Sequence, residues 1–212
     1  MNLKERSLSM RTFFNERVDV YDGVHAEFME SKERLIKALP DGCERLIDLG
    51  AGTGLELTAL FERFPNARVK AIDISEKMLE QLTARGFGER VESVVGDFFD
   101  VPFGEGYDAV ISTSALHHFT RDDKTVLYRK IYNCLRDGGV FVNSDWVVQS
   151  QKEEDEHFKE LEENPLGKSH IDTPLTAENE RIALTAAGFS SIEFHSNVPE
   201  NYAVVVAVKK ER

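Results

Sequence analysis

LIDLGAGTGLELTAL, residues 46–60, decides how the rest of the chain is read. Leu46-Ile47-Asp48-Leu49 has the length and composition of a buried strand. It stops at Gly50-Ala51-Gly52-Thr53-Gly54, with glycines at alternate positions. Leu57, Leu60, Phe61 and Phe64 then recur at i, i+3, i+4 and i+7, one face of a helix. A strand, a glycine turn and a helix in this order leave bare backbone against which a ligand can lie, at a turn open to positive φ.

The spacing narrows the choice. Dinucleotide folds that seat a pyrophosphate at a helix N-terminus use G-x-G-x-x-G. Here the third glycine comes one residue early, giving D-x-G-x-G-x-G from Asp48 to Gly54.

Upstream, residues 9–39 read as helix, with Phe14, Val18, Tyr21, His25 and Phe28 forming an apolar stripe that Gly23 can break in two. Pro40-Asp41-Gly42 ends this segment and separates an N-terminal helical cap, 1–42, from the main domain, 43–212. Downstream, Val69–Ile74 is a second strand and Ser75 an N-cap for a helix that faces Met78, Leu79 and Leu82 inward. Val91–Val95 and Tyr107–Thr113 are further strands, and ALHHFT, 115–120, is a loop or short turn. An amphipathic helix through Leu127, Ile131 and Leu135 is expected to stop at Gly138-Gly139, before a fifth strand, Val140–Asp145. Gln149–Asn164, with seven acids against two lysines, reads as a solvated helix or flap. Thr176 caps a helix ended by Gly188. Ser191–Val198 and Tyr202–Lys210, joined by Pro199-Glu200-Asn201, are antiparallel strands.

Alternating β and α predicts an α/β, Rossmann-like doubly wound sheet covered by helices on both faces, with one antiparallel strand. Ligands in such sheets bind beyond the carboxyl ends of the strands. Gly50–Gly54, Asp73, Asp97-Phe98, Ser112–His118 and Asp145-Trp146 all fall at such ends.

Composition bounds the partners. The chain has 212 residues and a net charge of −12 from 26 basic and 38 acidic side chains. Gripping a phosphate backbone takes the opposite sign, so nucleic acid is not expected. Cys43 and Cys134 are too far apart for a zinc cluster or a disulfide framework and read as reduced, buried thiols. With neither a signal-like apolar core nor a run long enough for a membrane span, a soluble cytoplasmic protein is expected.

Asp73, 19 residues after Gly54, can accept from both hydroxyls of a ribose. Asp97 and Phe98 can accept from an exocyclic amine and pack on an adenine ring, with Ile74 and Met78 as apolar walls. His117 and His118 are the candidate general bases. No metal is expected, because adjacent histidines point apart and no third ligand stands at a ligand spacing. Asp145 and Trp146 can orient a polar or cationic acceptor. Phe14, Tyr21 and His25 can line its pocket from the N-terminal helices.

Together, D-x-G-x-G-x-G, Asp73, G-D-F at Asp97 and Y-D-A-V-I-S…L-H-H from Tyr107 resemble the pattern of class I S-adenosylmethionine-dependent methyltransferases, over roughly 45–210. The resemblance implies a seven-stranded sheet with its last strand antiparallel and S-adenosylmethionine as cofactor. Gly50, Ala51, Gly52 and Gly54 would lie under its methionine and ribose, and Asp48 would support that loop or reach the amine. Asp73 would hold the ribose, Asp97 and Phe98 the adenine, and backbone near Ser112 the methionine end. The main domain would bind the donor, and a small molecule is the expected acceptor, given the charge and the lack of a D/N-P-P-Y string. Alternatives are an enzyme of carboxy-S-adenosylmethionine, a non-catalytic binder of the donor or its product and, more distantly, a nicotinamide dehydrogenase. A homodimer stays an open alternative.

Overall fold

The structure is a computed structural model that describes residues 3–24, 28–163, 172–196 and 201–211. Two helices, α1 (Leu3–Val24) and α2 (Met29–Ala38), precede β1 (Arg45–Leu49), α3 (Leu57–Arg63), β2 (Arg68–Asp73), α4 (Glu76–Ala84) and β3 (Val91–Val95). Then come β4 (Tyr107–Thr113), α5 (Arg121–Cys134), β5 (Leu135–Trp146), α6 (Gln151–Glu163), α7 (Ala177–Ala187), β6 (Ser191–Ser196) and β7 (Tyr202–Val208). One sheet holds all seven strands in the order β3-β2-β1-β4-β5-β7-β6. The pairs from β3 to β5 are parallel, and β7 runs antiparallel to both β5 and β6.

The order follows from burial. Leu46, Ile47 and Leu49 are wholly buried because helices cover both faces, so the central strand is apolar on both faces rather than alternating, with Asp48 as a buried acid within it. One core layer packs Leu35, Leu57, Leu60 and Leu79 on the sheet, the other Leu127, Ile131, Leu184 and Phe189. The winding runs outward from β1 to β3 and resumes at β4 on the other side of β1. That reversal opens a crevice beyond β1 and β4, the place such sheets bind ligands.

Local signals set the helix starts. Ser75 Oγ accepts from Met78 N, Thr176 accepts from Asn179 N, and Thr120 and Asp123 form a reciprocal capping box before α5. The expected turn at 115–120 is a single 3-10 turn, Leu116–His118. Two boundaries differ from expectation. The first helix begins at Leu3, well before residue 9. Helix α5 ends at Cys134, where Leu135 is already extended, so Gly138-Gly139 do not cap it and lie inside β5. The pairing of β4 with β5 slips between Tyr107 and Ala109. A Cβ on Gly139 would sit 2.9 Å from the Arg136 carbonyl oxygen and 3.1 Å from that of Tyr107. These glycines serve a bulge, not a helix end. The charged segment at 149–164 forms α6 through Glu163. The expected turn at Pro199-Glu200 and the end of β6 at 197–198 lie outside the described residues. Among the described residues no helix is long and apolar enough to cross a membrane.

Candidate active site

The glycine loop forms the floor of a half-open, mostly apolar cavity at the crevice, where ligands bind in sheets of this kind. Gly50 N donates to the Ile72 carbonyl at 2.8 Å, turning the chain as it leaves β1. Gly50 has φ +74°, and a Cβ there would come 2.5 Å from that of Ala115, so only glycine lets the loop meet the chain leaving β4. Asp73 braces the loop: its Oδ2 accepts from Gly52 N at 2.9 Å and its Oδ1 from Ser75 N at 2.8 Å. Burial raises the Asp73 carboxyl to about 6 against the opposing pull of these donors.

Beneath the loop lies a buried ionic cluster. Lys32 of α2 donates to Glu56 Oε2 at 2.9 Å and to Thr113 Oγ1 at 3.0 Å. Burial, with Glu56 beside it, pushes Asp48 well above the carboxylate range. Burial also opposes ionisation of Glu56, but Lys32 outweighs it. Lys32 thus favours the charge on Glu56, while burial and that neighbouring charge disfavour a second one on Asp48.

Ile74, Met78, Asp97 and Phe98 wall the cavity, and α1 roofs it with Met10, Phe14 and Tyr21. Polar latches hold α1 down. Ser75 Oγ donates to Asn15 Oδ1 at 2.7 Å, and Asp22 accepts from Thr53 Oγ1 and from Arg85.

His118, with Ala115 and Phe119, closes the far wall. Its neighbour His117 sits 4.0 Å away ring to ring, and Nδ1 of His117 lies 2.6 Å from Asp145 Oδ1. Asp145 also accepts backbone N–H bonds from Leu116, His117 and Trp146. Burial alone would raise its carboxyl, but His117, Lys124 and these donors hold it at about 2. Burial, and then His117, push His118 down to about 4. Lys124 lies fully buried nearby, donating to Glu180 Oε2 at 3.0 Å, and Tyr128 donates to the other oxygen of Glu180.

This geometry has relatives. The family described as "Methyltransferase domain" matches residues 46–139. The malonyl-[acyl-carrier protein] O-methyltransferase of Methylococcus capsulatus is 30% identical over 197 residues, covering 90% of this chain and 70% of that one. The chain belongs to the S-adenosylmethionine-dependent methyltransferases. The carboxy-S-adenosyl-L-methionine synthase of Campylobacter curvus is 27% identical over 178 residues, covering 76% and 75%. Human N-acetylserotonin methyltransferase, solved with S-adenosylmethionine, shares the fold at TM-score 0.70 and 20% identity. This chain spans only 56% of that longer one, though 93% of its own length is covered.

The methyltransferase's cavity collects Gly50, Gly52, Asp73, Ile74, Met78, Asp97, Phe98, Phe14, Tyr21 and His118 from the sequence-selected set. Asp48, Ala51, Gly54, Ser112 and His117 are not among its described lining residues, His117 packing beside His118 instead. Asp48 faces Glu56, Ala51 packs in the core, Gly54 abuts Leu82, and Ser112 Oγ donates to the Leu49 carbonyl. Tyr21, expected at the acceptor, packs instead on Gly52, its hydroxyl 3.4 Å from where a Cβ would stand. Asp145 differs from expectation too: its oxygens are spent on His117 and backbone, which leaves it unsuited to gripping an acceptor. Trp146 stands beside His117 and against His157 of α6. His25 lies outside the described residues. The histidines do not point apart, and Asp172 joins them at 2.9 Å from His118 Nδ1. Sequence spacing had no means of bringing in Asp172, nor Lys32, Glu56, Lys124 and Glu180. Ser114, at φ +51° just after β4, is strained where the glycine loop and the histidines meet.

Proposed function

We propose that this methyltransferase moves the sulfonium methyl of S-adenosylmethionine to an oxygen of a small-molecule acceptor, with His117 Nε2 taking the acceptor's proton. The observation that carries this is the Asp145–His117 pair. Asp145 holds Nδ1–H at 2.6 Å, which fixes the tautomer and leaves Nε2 as the basic atom of a ring packed 4.0 Å from that of the cavity-lining His118. Burial, and then His117, push His118 down to about 4, which ill suits it to take a proton near neutral pH. The O-methyltransferase relative supports an oxygen acceptor.

On the donor side, the bare backbone at Gly50 and Gly52 carries the methionine and ribose, with Asp73 accepting from the ribose hydroxyls. Asp97 and Phe98 take the adenine between Ile74 and Met78. Asp48, Gly54, Ala51 and Ser112 hold the loop in shape from below. Residues 1–42 act as a cap on the 43–212 domain, with Phe14 and Tyr21 closing over the donor. Since the sulfonium methyl is already activated, alignment and exclusion of water carry most of the rate. A carboxylated donor would need a cation beside the sulfonium, and the described cavity-lining residues include neither lysine nor arginine. The buried, free thiols Cys43 and Cys134 suit a reducing cytoplasm.

Calorimetric titration with S-adenosylmethionine, S-adenosylhomocysteine and NAD, followed by a transfer screen over small hydroxy and carboxylic acids, tests the reading. Both sulfur nucleotides should bind and NAD should not. Binding without transfer to any acceptor in a broad panel would favour a sensor over an enzyme of small molecules.

A further inference from the structure

Beside the donor cavity three metal-binding atoms converge. His117 Nε2, His118 Nδ1 and Asp172 Oδ1 all lie within 4.8 Å of one another. Asp172 Oδ1 is 2.9 Å from His118 Nδ1 and 3.7 Å from His117 Nε2. We propose that this cluster binds one divalent first-row transition ion, zinc foremost, with Asp145 as the carboxylate that orients His117 toward it.

Donors bonded to zinc at about 2.0–2.1 Å stand roughly 3.0–3.4 Å apart, and the distances here bracket that spacing. Adjacent histidines can share one ion only when their reach differs. Here His117 offers its far nitrogen and His118 its near one, across a single 3-10 turn. The tautomer of His117 is set from behind: Nδ1–H is given to Asp145, so Nε2 presents a bare lone pair, the arrangement found behind metal-bound histidines. With any proton there displaced, Nε2 turns that lone pair toward the Asp172 carboxylate 3.7 Å away, and a cation between the two is held by both. Two carboxylates and two neutral imidazoles balance a divalent ion. The mixed nitrogen and oxygen set suits zinc, cobalt or iron rather than magnesium or calcium. Asp172 is anchored through its neighbour, whose Thr173 N–H donates to the His117 carbonyl at 2.6 Å. Its side chain is 28% exposed, which gives an ion a way in. When the ion binds, the proton of His118 sits on Nε2 and none need leave the ring. Three protein ligands leave a coordination position open.

The test is binding. The chelator-treated protein is titrated calorimetrically with zinc chloride, with magnesium chloride in parallel, and with cobalt(II) followed by visible absorption. One zinc per chain is expected, with no magnesium bound and a cobalt spectrum free of thiolate charge-transfer bands. Asp172→Asn and His118→Gln should each weaken zinc by more than about 100-fold, and Asp145→Asn by about 10–100-fold. Binding of S-adenosylhomocysteine by each variant separates loss of ligands from loss of fold. No saturable zinc binding by the wild type, or unchanged affinity in Asp172→Asn, overturns the proposal. The ion competes for the lone pair assigned to the base, so zinc is expected to slow transfer. A zinc-free enzyme that methylates and never binds zinc overturns this site alone, and one that binds zinc but never methylates overturns the reaction alone.

Discussion

The region proposed for the donor and the region proposed for the acceptor each stand beside one buried lysine, but they draw on the chain differently. Under the glycine loop, Lys32 neutralises Glu56 and ties α2 to the end of β4 through Thr113. Behind the histidines, Lys124 neutralises Glu180 and ties α5 to α7. The donor half takes its recognition groups from three successive strand ends, each within a residue or two of a glycine or a cap. The acceptor half is assembled across long separations: His117 meets Asp145 28 residues away, and Lys124 meets Glu180 56 residues away. Local geometry places the recognition groups of the first half, although its lysine arrives by packing, and tertiary packing builds the whole of the second.

The largest expected effect strikes the acceptor half. His117→Ala should lower kcat by about 10²–10⁴-fold, the usual contribution of a positioned general base, with donor affinity nearly unchanged. Asp145→Asn should lose much of the same rate, and the double variant should be little worse than His117→Ala, because the two act as a unit. Equal losses in kcat and donor affinity for His117→Ala would move it from base to structural support.

The two lysines test whether the halves stand independently. Removing one partner of a buried ion pair costs about 3–5 kcal/mol, because the other charge is left buried and unpaired. Lys32→Met and Lys124→Met should each lose that much in urea unfolding. Lys32→Met should also weaken the donor, and Lys124→Met should lower kcat instead. If both variants lost donor affinity equally, the division into halves would fail.

The same contrast explains what the sequence revealed. Gly50, Asp73 and Phe98 were legible because a strand, its terminal residue and the following turn are contiguous, and their periodicity announces them. The parallel sheet covered by helices followed from the same alternation, whereas the strand order is read from the structure. Lys32 was not legible: a lysine in an amphipathic helix reads as solvated, and only packing of α2 on the loop buries it. Asp172 and Glu180 sit in segments whose local pattern says nothing of the histidines they reach. Gly138-Gly139 misled for a related reason. A glycine pair after a helix reads as a cap, and only the crowding by the Arg136 and Tyr107 carbonyls shows that it serves a bulge.

On the donor side, Asp73→Ala should weaken S-adenosylmethionine by about 1–3 kcal/mol, the range for a lost charge-assisted hydrogen bond. Loss of the Gly52 and Ser75 anchors adds to the same direction. Wild-type affinity in that variant would remove Asp73 from the ribose.

The smallest effect is the most specific, because pH acts on Asp73 with two opposite signs. Its carboxyl titrates at about 6 in the donor-free protein, above the ordinary 3.8. Protonation therefore favours the folded chain: this contribution is fully present below the unfolded value and is lost as pH rises through 6. The ribose hydroxyls need an ionised acceptor, so donor affinity should move the other way, about tenfold weaker at pH 5 than at pH 7. Asp145 does not blur this window. Its folded value of about 2 lies below 3.8, so its contribution is lost only as pH falls toward 2. Calorimetry of S-adenosylhomocysteine from pH 5 to pH 8 should show that slope in the wild type and a flat profile in Asp73→Asn. A slope that persists in Asp73→Asn would assign the proton to another group and leave the ribose without its expected acceptor.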